Sequence, residues 1–177
     1  MKSILGAAGI AIAALLAAGA SQAQVSGTMQ VQLNLVDGCI VSGSTDPLNA
    51  VNFGTMDFGS APTIFVADLN AQAMLAGVPT RLVCSAGASL NVRVGDGSHA
   101  GAGVRRMNSG SNYVQYRLFT HPGGAGMEYA VSDAVGLAIS VPPGGAPFDL
   151  PIHGVVSPQA GLVAGAYSDT VTVTLSF

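Results

Sequence analysis

The chain has 177 residues, a formal net charge of −3 and 49% hydrophobic residues, but only 8% charged residues, against about 25% in an average soluble domain. This length fits a single domain. The scarcity of cations argues against a nucleic-acid partner, because binding phosphates requires a basic surface. A surface with so little charge does little to keep copies apart, and it is typical of a protein that assembles.

The first 23 residues have the pattern of a secretory signal peptide. Lys2 precedes a short apolar run, and Ser21 and Ala23 are small residues at the positions that a signal peptidase recognises. The run is short for a membrane anchor, and no stop-transfer signal follows it. We therefore predict export, cleavage near Ala23 and a mature chain that begins at Gln24 and contains no lysine.

Residues 24–36 alternate between apolar and polar side chains. The apolar positions are Val25, Met29, Val31, Leu33 and Leu35, and the residues between them are polar or small. A period of two predicts a β-strand with one apolar face. Taken alone, the alternation favours the first strand of the chain's own sheet.

Several later segments also alternate or are rich in β-branched residues, which predicts more short strands. We expect residues 78–87 and 89–97 to form a hairpin-related pair and residues 113–121 to form a central strand. Only residues 67–76 have the composition of a helix. The final segment alternates again, and one of its faces carries Tyr167, Val171, Val173, Leu175 and Phe177. Many short strands separated by glycine-rich turns predict an all-β sandwich.

The two cysteines, Cys39 and Cys84, are an even pair in a chain with an export signal. An oxidising compartment favours a disulfide between them. A metal site is the weaker interpretation, because neither cysteine has a second Cys or His at ligand spacing. We predict one intrachain disulfide.

The sequence offers little catalytic chemistry. It contains no G-x-S-x-G nucleophile elbow, no glycine-rich phosphate loop and no H-E-x-x-H metal motif. The three histidines are far apart, and Asp96, Ser98 and His99 share one glycine turn, where a catalytic triad cannot readily form. We interpret Arg105 and Arg106 as a solvated loop edge rather than a docking patch. The expectation is a protein that is not an enzyme and holds no metal or cofactor.

Several segments together resemble the spore coat protein U domain family, which includes the Csu-type pilins of archaic chaperone/usher pili. The similar parts are the alternating N-terminus that runs into Gly38 and Cys39, the stretches "FGTMDFG" and "YVQYRLF", and the C-terminal part from about Pro151. The most specific of these is a G-x-Y-x-D-T pattern, formed by Gly165, Tyr167, Asp169 and Thr170. The resemblance covers nearly the whole mature chain.

The resemblance implies an incomplete immunoglobulin-like β-sandwich that is completed by donor-strand exchange. Residues 1–23 are then the signal peptide, residues 24–36 the donor strand and residues 37–177 the pilin domain. A periplasmic chaperone first fills an apolar groove beside the last strand, and at the outer-membrane usher the donor strand of the next subunit replaces it. The implied donor residues are Val25, Gly27, Met29, Val31, Leu33 and Leu35. The implied groove and chaperone contacts are Tyr167, Val171, Val173, Leu175 and Phe177.

The implied function is that of a structural pilus subunit at the cell surface, which supports adhesion and biofilm formation. Its partners would be copies of itself or related pilins, the chaperone and the usher. Two alternatives remain open at this point. One is a secreted spore-coat or matrix protein of the same fold that does not polymerise through its N-terminus. The other is a carbohydrate-binding or hydrolytic β-sandwich, which the absence of tryptophan disfavours.

Overall fold

The computed structural model describes residues 24–42 and 51–177. The predicted signal peptide lies outside the described residues. The chain divides into two compact units, Met1–Asn34 and Leu35–Phe177. In the first unit, residues 24–34 have no regular secondary structure. Alternation alone does not make a strand there, because a strand needs a partner to form its ladder of hydrogen bonds.

The second unit is built from short strands. Within residues 35–42 and 51–177 they are β1 Cys39–Val41, β2 Thr55–Met56, β3 Leu69–Leu75, β4 Val78–Pro79, β5 Arg81–Cys84, β6 Leu90–Val94, β7 Arg105–Ser109, β8 Asn112–Phe119, β9 Leu137–Ile139, β10 Phe148–Asp149, β11 His153–Val156 and β12 Val173–Ser176. Two 3-10 helices, Pro122–Gly124 and Pro143–Gly145, lie in glycine-rich connections. No helix among the described residues is long and apolar enough to cross a membrane.

The strands form three antiparallel sheets. Their orders are β1-β5-β10, β2-β3-β11-β8-β7 with β4 beside β3, and β12-β6-β9. Buried side chains from all three sheets pack into one core, for example Leu82 of β5, Val92 of β6 and Leu118 of β8. The prediction of an all-β sandwich is confirmed.

Two predictions about strand partners had opposite outcomes. The strand predicted at residues 113–121 is central, because β8 pairs with β11 along one edge and with β7 along the other. The hairpin-related pair predicted at residues 78–97 is wrong. β5 pairs with β1 and β10, whereas β6 pairs with β12 and β9, so the two strands belong to different sheets. Alternation shows that each segment is a strand but carries no information about its partner.

The helix expected at residues 67–76 is also wrong, because most of this segment forms β3. Ala76 and Gly77 follow it with φ of 51° and 81°, the left-handed geometry of a two-residue hairpin turn. The turn brings β4 against β3, and β11 and β2 also pair with β3. These ladder bonds override the weak helical preference of a short Ala- and Leu-containing segment.

The predicted disulfide is present between Cys39 and Cys84. The two residues lie directly opposite each other in the β1–β5 pair, with a Cα–Cα distance of 4.0 Å, and both are buried. Gly38 and Ser85 extend the pairing by one position, since the amide of Ser85 donates to the carbonyl of Gly38 at 2.8 Å. The disulfide therefore fixes the place where the N-terminal segment enters the folded body.

Replacing Cys39 with serine tests the contribution of this disulfide. The sequence separation of 45 predicts that the Cys39→Ser variant loses about 4 kcal/mol of unfolding free energy in the chain-entropy model. Thermal unfolding followed by circular dichroism measures the loss, with the reduced wild-type protein as the matched control. Equal melting temperatures for the oxidised, reduced and variant proteins would contradict the prediction.

Arg105 was interpreted from the sequence as part of a solvated loop edge, and this interpretation is wrong. The residue is fully buried, with 1% of its surface exposed. Its guanidinium donates hydrogen bonds to four backbone carbonyls, those of Val94, Gly95, Tyr129 and Ala130. Burial lowers the pKa of Arg105, and nearby acidic groups oppose this shift. The side chain therefore ties the end of β6 to the segment that contains Tyr129.

Lysine at position 105 cannot make the same four hydrogen bonds, because an ammonium group lacks the planar arrangement of donors of a guanidinium. We expect the Arg105→Lys variant to lose about 2–4 kcal/mol of unfolding free energy, since buried carbonyls are left without donors. Urea denaturation measures the loss. Arg93→Lys is the control, because Arg93 is exposed and donates to one carbonyl only, that of Asp133. Equal losses in the two variants would show that the buried hydrogen bonds are not responsible.

Candidate functional site

The last strand, β12, has one paired edge and one open edge. It pairs antiparallel with β6, so that Val173 lies opposite Val94 and Leu175 lies opposite Val92. No strand within residues 24–42 and 51–177 pairs with its other edge. An open edge presents unpaired backbone N–H and C=O groups and is a template for the addition of another strand.

An apolar groove of about 1090 Å³ lies beside the C-terminal segment. It is lined by that segment, by residues 51–58 and, from the core, by residues that include Tyr116, Leu118 and Ile152. The structure places all five C-terminal residues identified from the sequence in this lining, namely Tyr167, Val171, Val173, Leu175 and Phe177. Cys39 of the disulfide also lines the groove.

The C-terminal segment alternates in exposure as it alternates in sequence. Val171, Val173 and Leu175 are half-buried, whereas Thr172, Thr174 and Ser176, which alternate with them, are exposed. Phe177 is 51% exposed at the end of the segment. The apolar row therefore faces the groove but remains only partly covered.

A second cavity of about 740 Å³ continues the groove. The two share the lining residues Met56, Asp57, Phe58, Met107 and Tyr167. Gly154 of β11 makes room for two of them, because a Cβ atom there would lie 2.3 Å from the sulfur of Met56 and 2.6 Å from the Phe58 ring. The apolar lining thus extends beyond the open edge of β12.

The apolar side chains of the N-terminal segment are almost fully exposed. The exposed fractions are 94% for Val25, 86% for Met29, 84% for Val31, and 81% for both Leu33 and Leu35. A Cβ atom at Gly27 would meet nothing within 4 Å. Exposure of such a row of large apolar side chains to water is unfavourable, and contiguous exposed apolar surface is uncommon in monomeric proteins.

The described residues contain no group of three or more His, Cys, Asp or Glu side chains that could hold a metal ion. His121 is exposed, whereas His153 is half-buried. Burial lowers the pKa of His153, and the neighbouring His121 adds to this shift. Asp96 accepts hydrogen bonds from the amide and hydroxyl of Ser132 and so connects two loops.

A polar cluster in the lining of the groove was not predicted from the sequence. Asp169 accepts hydrogen bonds from the hydroxyl of Tyr116 and from the backbone amide of His99. Burial raises the pKa of the Tyr116 hydroxyl, and its hydrogen bond to Asp169 raises it further, so this tyrosine stays neutral. The G-x-Y-x-D-T pattern contains Asp169 and was the only signal in the sequence that pointed to this residue.

The chain belongs to the Spore Coat Protein U domain family, whose model matches residues 25–174. No curated protein matches the sequence. The matched region includes the N-terminal segment, the disulfide and most of the groove.

Solved structures similar to this chain include pilus proteins. One is the structure of a chaperone-usher pilus that reveals the molecular basis of rod uncoiling. It shares 17% sequence identity and a TM-score of 0.50 over 90% of this chain and 99% of the other. Another is the P pilus rod subunit PapA, with 17% identity and a TM-score of 0.48 over 78% of this chain and 97% of the other. At this identity the likeness concerns the fold, which is immunoglobulin-like as the family resemblance implied.

The apolar character of the groove can be tested with a polarity-sensitive dye. Val173→Thr keeps the shape of the side chain but places a hydroxyl in the lining. We expect dye affinity to fall about fivefold, because burying an unpaired hydroxyl costs about 1 kcal/mol or more. Fluorescence titration of the full-length protein measures the change. The reverse substitution on the exposed face, Thr174→Val, is the control. A similar loss of affinity in both variants would contradict the assignment of the groove as the dye site.

Proposed function

We propose that this protein is a structural pilus subunit that polymerises by inserting its N-terminal segment into the groove of a neighbouring copy. One observation carries the proposal. The same molecule has an open strand edge over an apolar groove and an exposed alternating apolar segment of matching period. Strand addition would pair the open edge of β12 with the backbone of the segment, and it would bury the apolar side chains of the segment in the groove.

The lengths of the two parts are compatible. The groove-lining residues 167–177 span roughly 35 Å when extended, and residues 24–36 span roughly 43 Å. The segment can therefore cover the whole open edge and keep a short link to its own body. Because side chains alternate with a period of two in both parts, one register places the whole apolar row of the segment inward.

Burial of the apolar row is the main source of the energy of one joint. Five apolar side chains, each contributing roughly 1.5–3 kcal/mol on burial, give on the order of 7–15 kcal/mol before the cost of ordering the segment. The backbone ladder with β12 adds to this and fixes the register. A filled groove also removes the aggregation hazard of an open edge.

A subunit with an unfilled groove needs protection before assembly. For this reason we include in the proposal a periplasmic chaperone that occupies the groove temporarily and an outer-membrane usher where subunits are joined. The immunoglobulin-like fold shared with a protein from a chaperone-usher pilus supports this route. Residues 1–23 would direct export, and the assembled fibre at the cell surface would serve adhesion and biofilm formation. The role is structural and not catalytic.

Leu33→Asp tests the donor role of the N-terminal segment. Leu33 is 81% exposed, so its own subunit should fold normally and form the Cys39–Cys84 disulfide. In a neighbour's groove the carboxylate would lie among apolar side chains, at a cost of several kcal/mol, and fibres should not form. Electron microscopy and size-exclusion chromatography of surface extracts measure fibre length.

The matched control is Gln32→Asp, which adds the same charge on the opposite face of the segment and should leave fibre formation intact. If residues 24–36 were instead the first strand of a coat protein's own sheet, Leu33→Asp would destabilise the monomer. Long fibres from the Leu33→Asp variant, or loss of fibres in both variants, would refute inward insertion of this face.

A further inference from the structure

The side chain of Asp169 is almost completely buried, with 3% of its surface exposed. It accepts three hydrogen bonds. Oδ2 lies 2.7 Å from the hydroxyl of Tyr116, and Oδ1 lies 3.2 Å from the backbone nitrogen and 3.0 Å from Nδ1 of His99. A buried carboxylate is tolerated only when such donors replace water.

These bonds join the C-terminal segment to two different sheets. Tyr116 belongs to β8, and His99 lies beyond the end of β6. Just before Asp169, Ser168 exchanges two backbone hydrogen bonds with Asn108 of β7. Just after it, the carbonyls of Thr170 and Thr172 accept from the amides of Ser98 and Gly95. Asp169 therefore lies where the segment leaves the edge of β7 and joins the edge of β6.

The surroundings are shaped to hold this carboxylate. Gly97 has φ of +89°, and a Cβ atom there would lie only 2.1 Å from Oδ2 of Asp169, so no larger residue fits. Arg105 is bonded to backbone carbonyls and not to Asp169, but its attraction to the carboxylate opposes the lowering of the arginine pKa by burial. The cluster thus includes a steric pocket, three donors and a nearby buried cation.

The open edge of β12 explains why such a fastening matters. Only four residues of β12 pair with β6, and among the described residues nothing pairs with the other edge. A strand held on one side frays more easily than one held on both, and a frayed strand must be ordered before a partner can pair with it. Ordering a strand in advance removes this cost from binding.

We propose that Asp169 is a positioning residue that holds the groove-lining strand in its binding geometry before the donor segment arrives. The proposal rests on the proposed function, since it concerns the acceptor side of the same joint. Its effect is on the rate of insertion. Once a donor is in place, β12 is paired on both edges and no longer depends on the cluster.

The test uses the full-length Leu33→Asp chain as an acceptor that cannot itself donate, and a fluorescent synthetic peptide of residues 24–36 as the probe. Fluorescence anisotropy gives the association and dissociation rates. We expect Asp169→Asn to slow association about tenfold, because asparagine has one acceptor oxygen and cannot accept at both of the positions that the two carboxylate oxygens occupy. Dissociation should change by less than about twofold. Asp149→Asn is the control, because Asp149 forms an exposed ion pair with Arg81 and should change neither rate.

Tyr116→Phe removes a single hydrogen bond and should slow association less than Asp169→Asn does. It also supplies the measurement if Asp169→Asn fails to fold, as judged by disulfide formation and circular dichroism. If Tyr116→Phe leaves association unchanged, or if the variants act mainly by speeding dissociation, the positioning role is wrong while donor insertion stands. If the peptide does not bind the parent acceptor at all, both the positioning role and the proposed function are overturned.

Discussion

The unpaired edge of β12 is the constraint on which the rest of this protein depends. Backbone N–H and C=O groups at a strand edge need partners, and here that edge lies beside an apolar groove that is only partly covered. Water can pair with the exposed backbone groups of such an edge, but it cannot cover the apolar side chains of the groove. The proposed addition of a donor strand would supply both a backbone ladder and apolar side chains.

The body of the protein holds this open site in shape without filling it. The disulfide fixes β1 against β5, and its Cys39 lines the groove. Arg105 ties the end of β6, the strand that pairs with β12, to the loop that contains Tyr129 and Ala130. Asp169 fastens the segment that leads into β12. These are one covalent bond and several hydrogen bonds. They stabilise the region around a groove whose apolar side chains are only partly packed.

The low charge of the chain fits the same picture. In the proposed fibre, many copies joined end to end would bring their surfaces close together, and a chain with 8% charged residues would accumulate little repulsion. Where charges do occur in the folded body, several are paired or buried, as with Arg81 and Asp149 on the surface and Arg105 in the core.

The sequence by itself determined which side chains share a face. A period of two is a local property of extended backbone, so Val173 and Leu175 could be assigned to one face of the last strand. The predicted export signal and the even cysteine count indicated the Cys39–Cys84 disulfide. Only the tertiary structure decided which strands pair. It made β3 a strand through its partners, separated β5 from β6, buried Arg105 among backbone carbonyls and gathered three donors around Asp169. These outcomes depend on contacts between groups that are far apart in the chain. A local sequence pattern does not determine such contacts, because they form only when the fold brings the groups together.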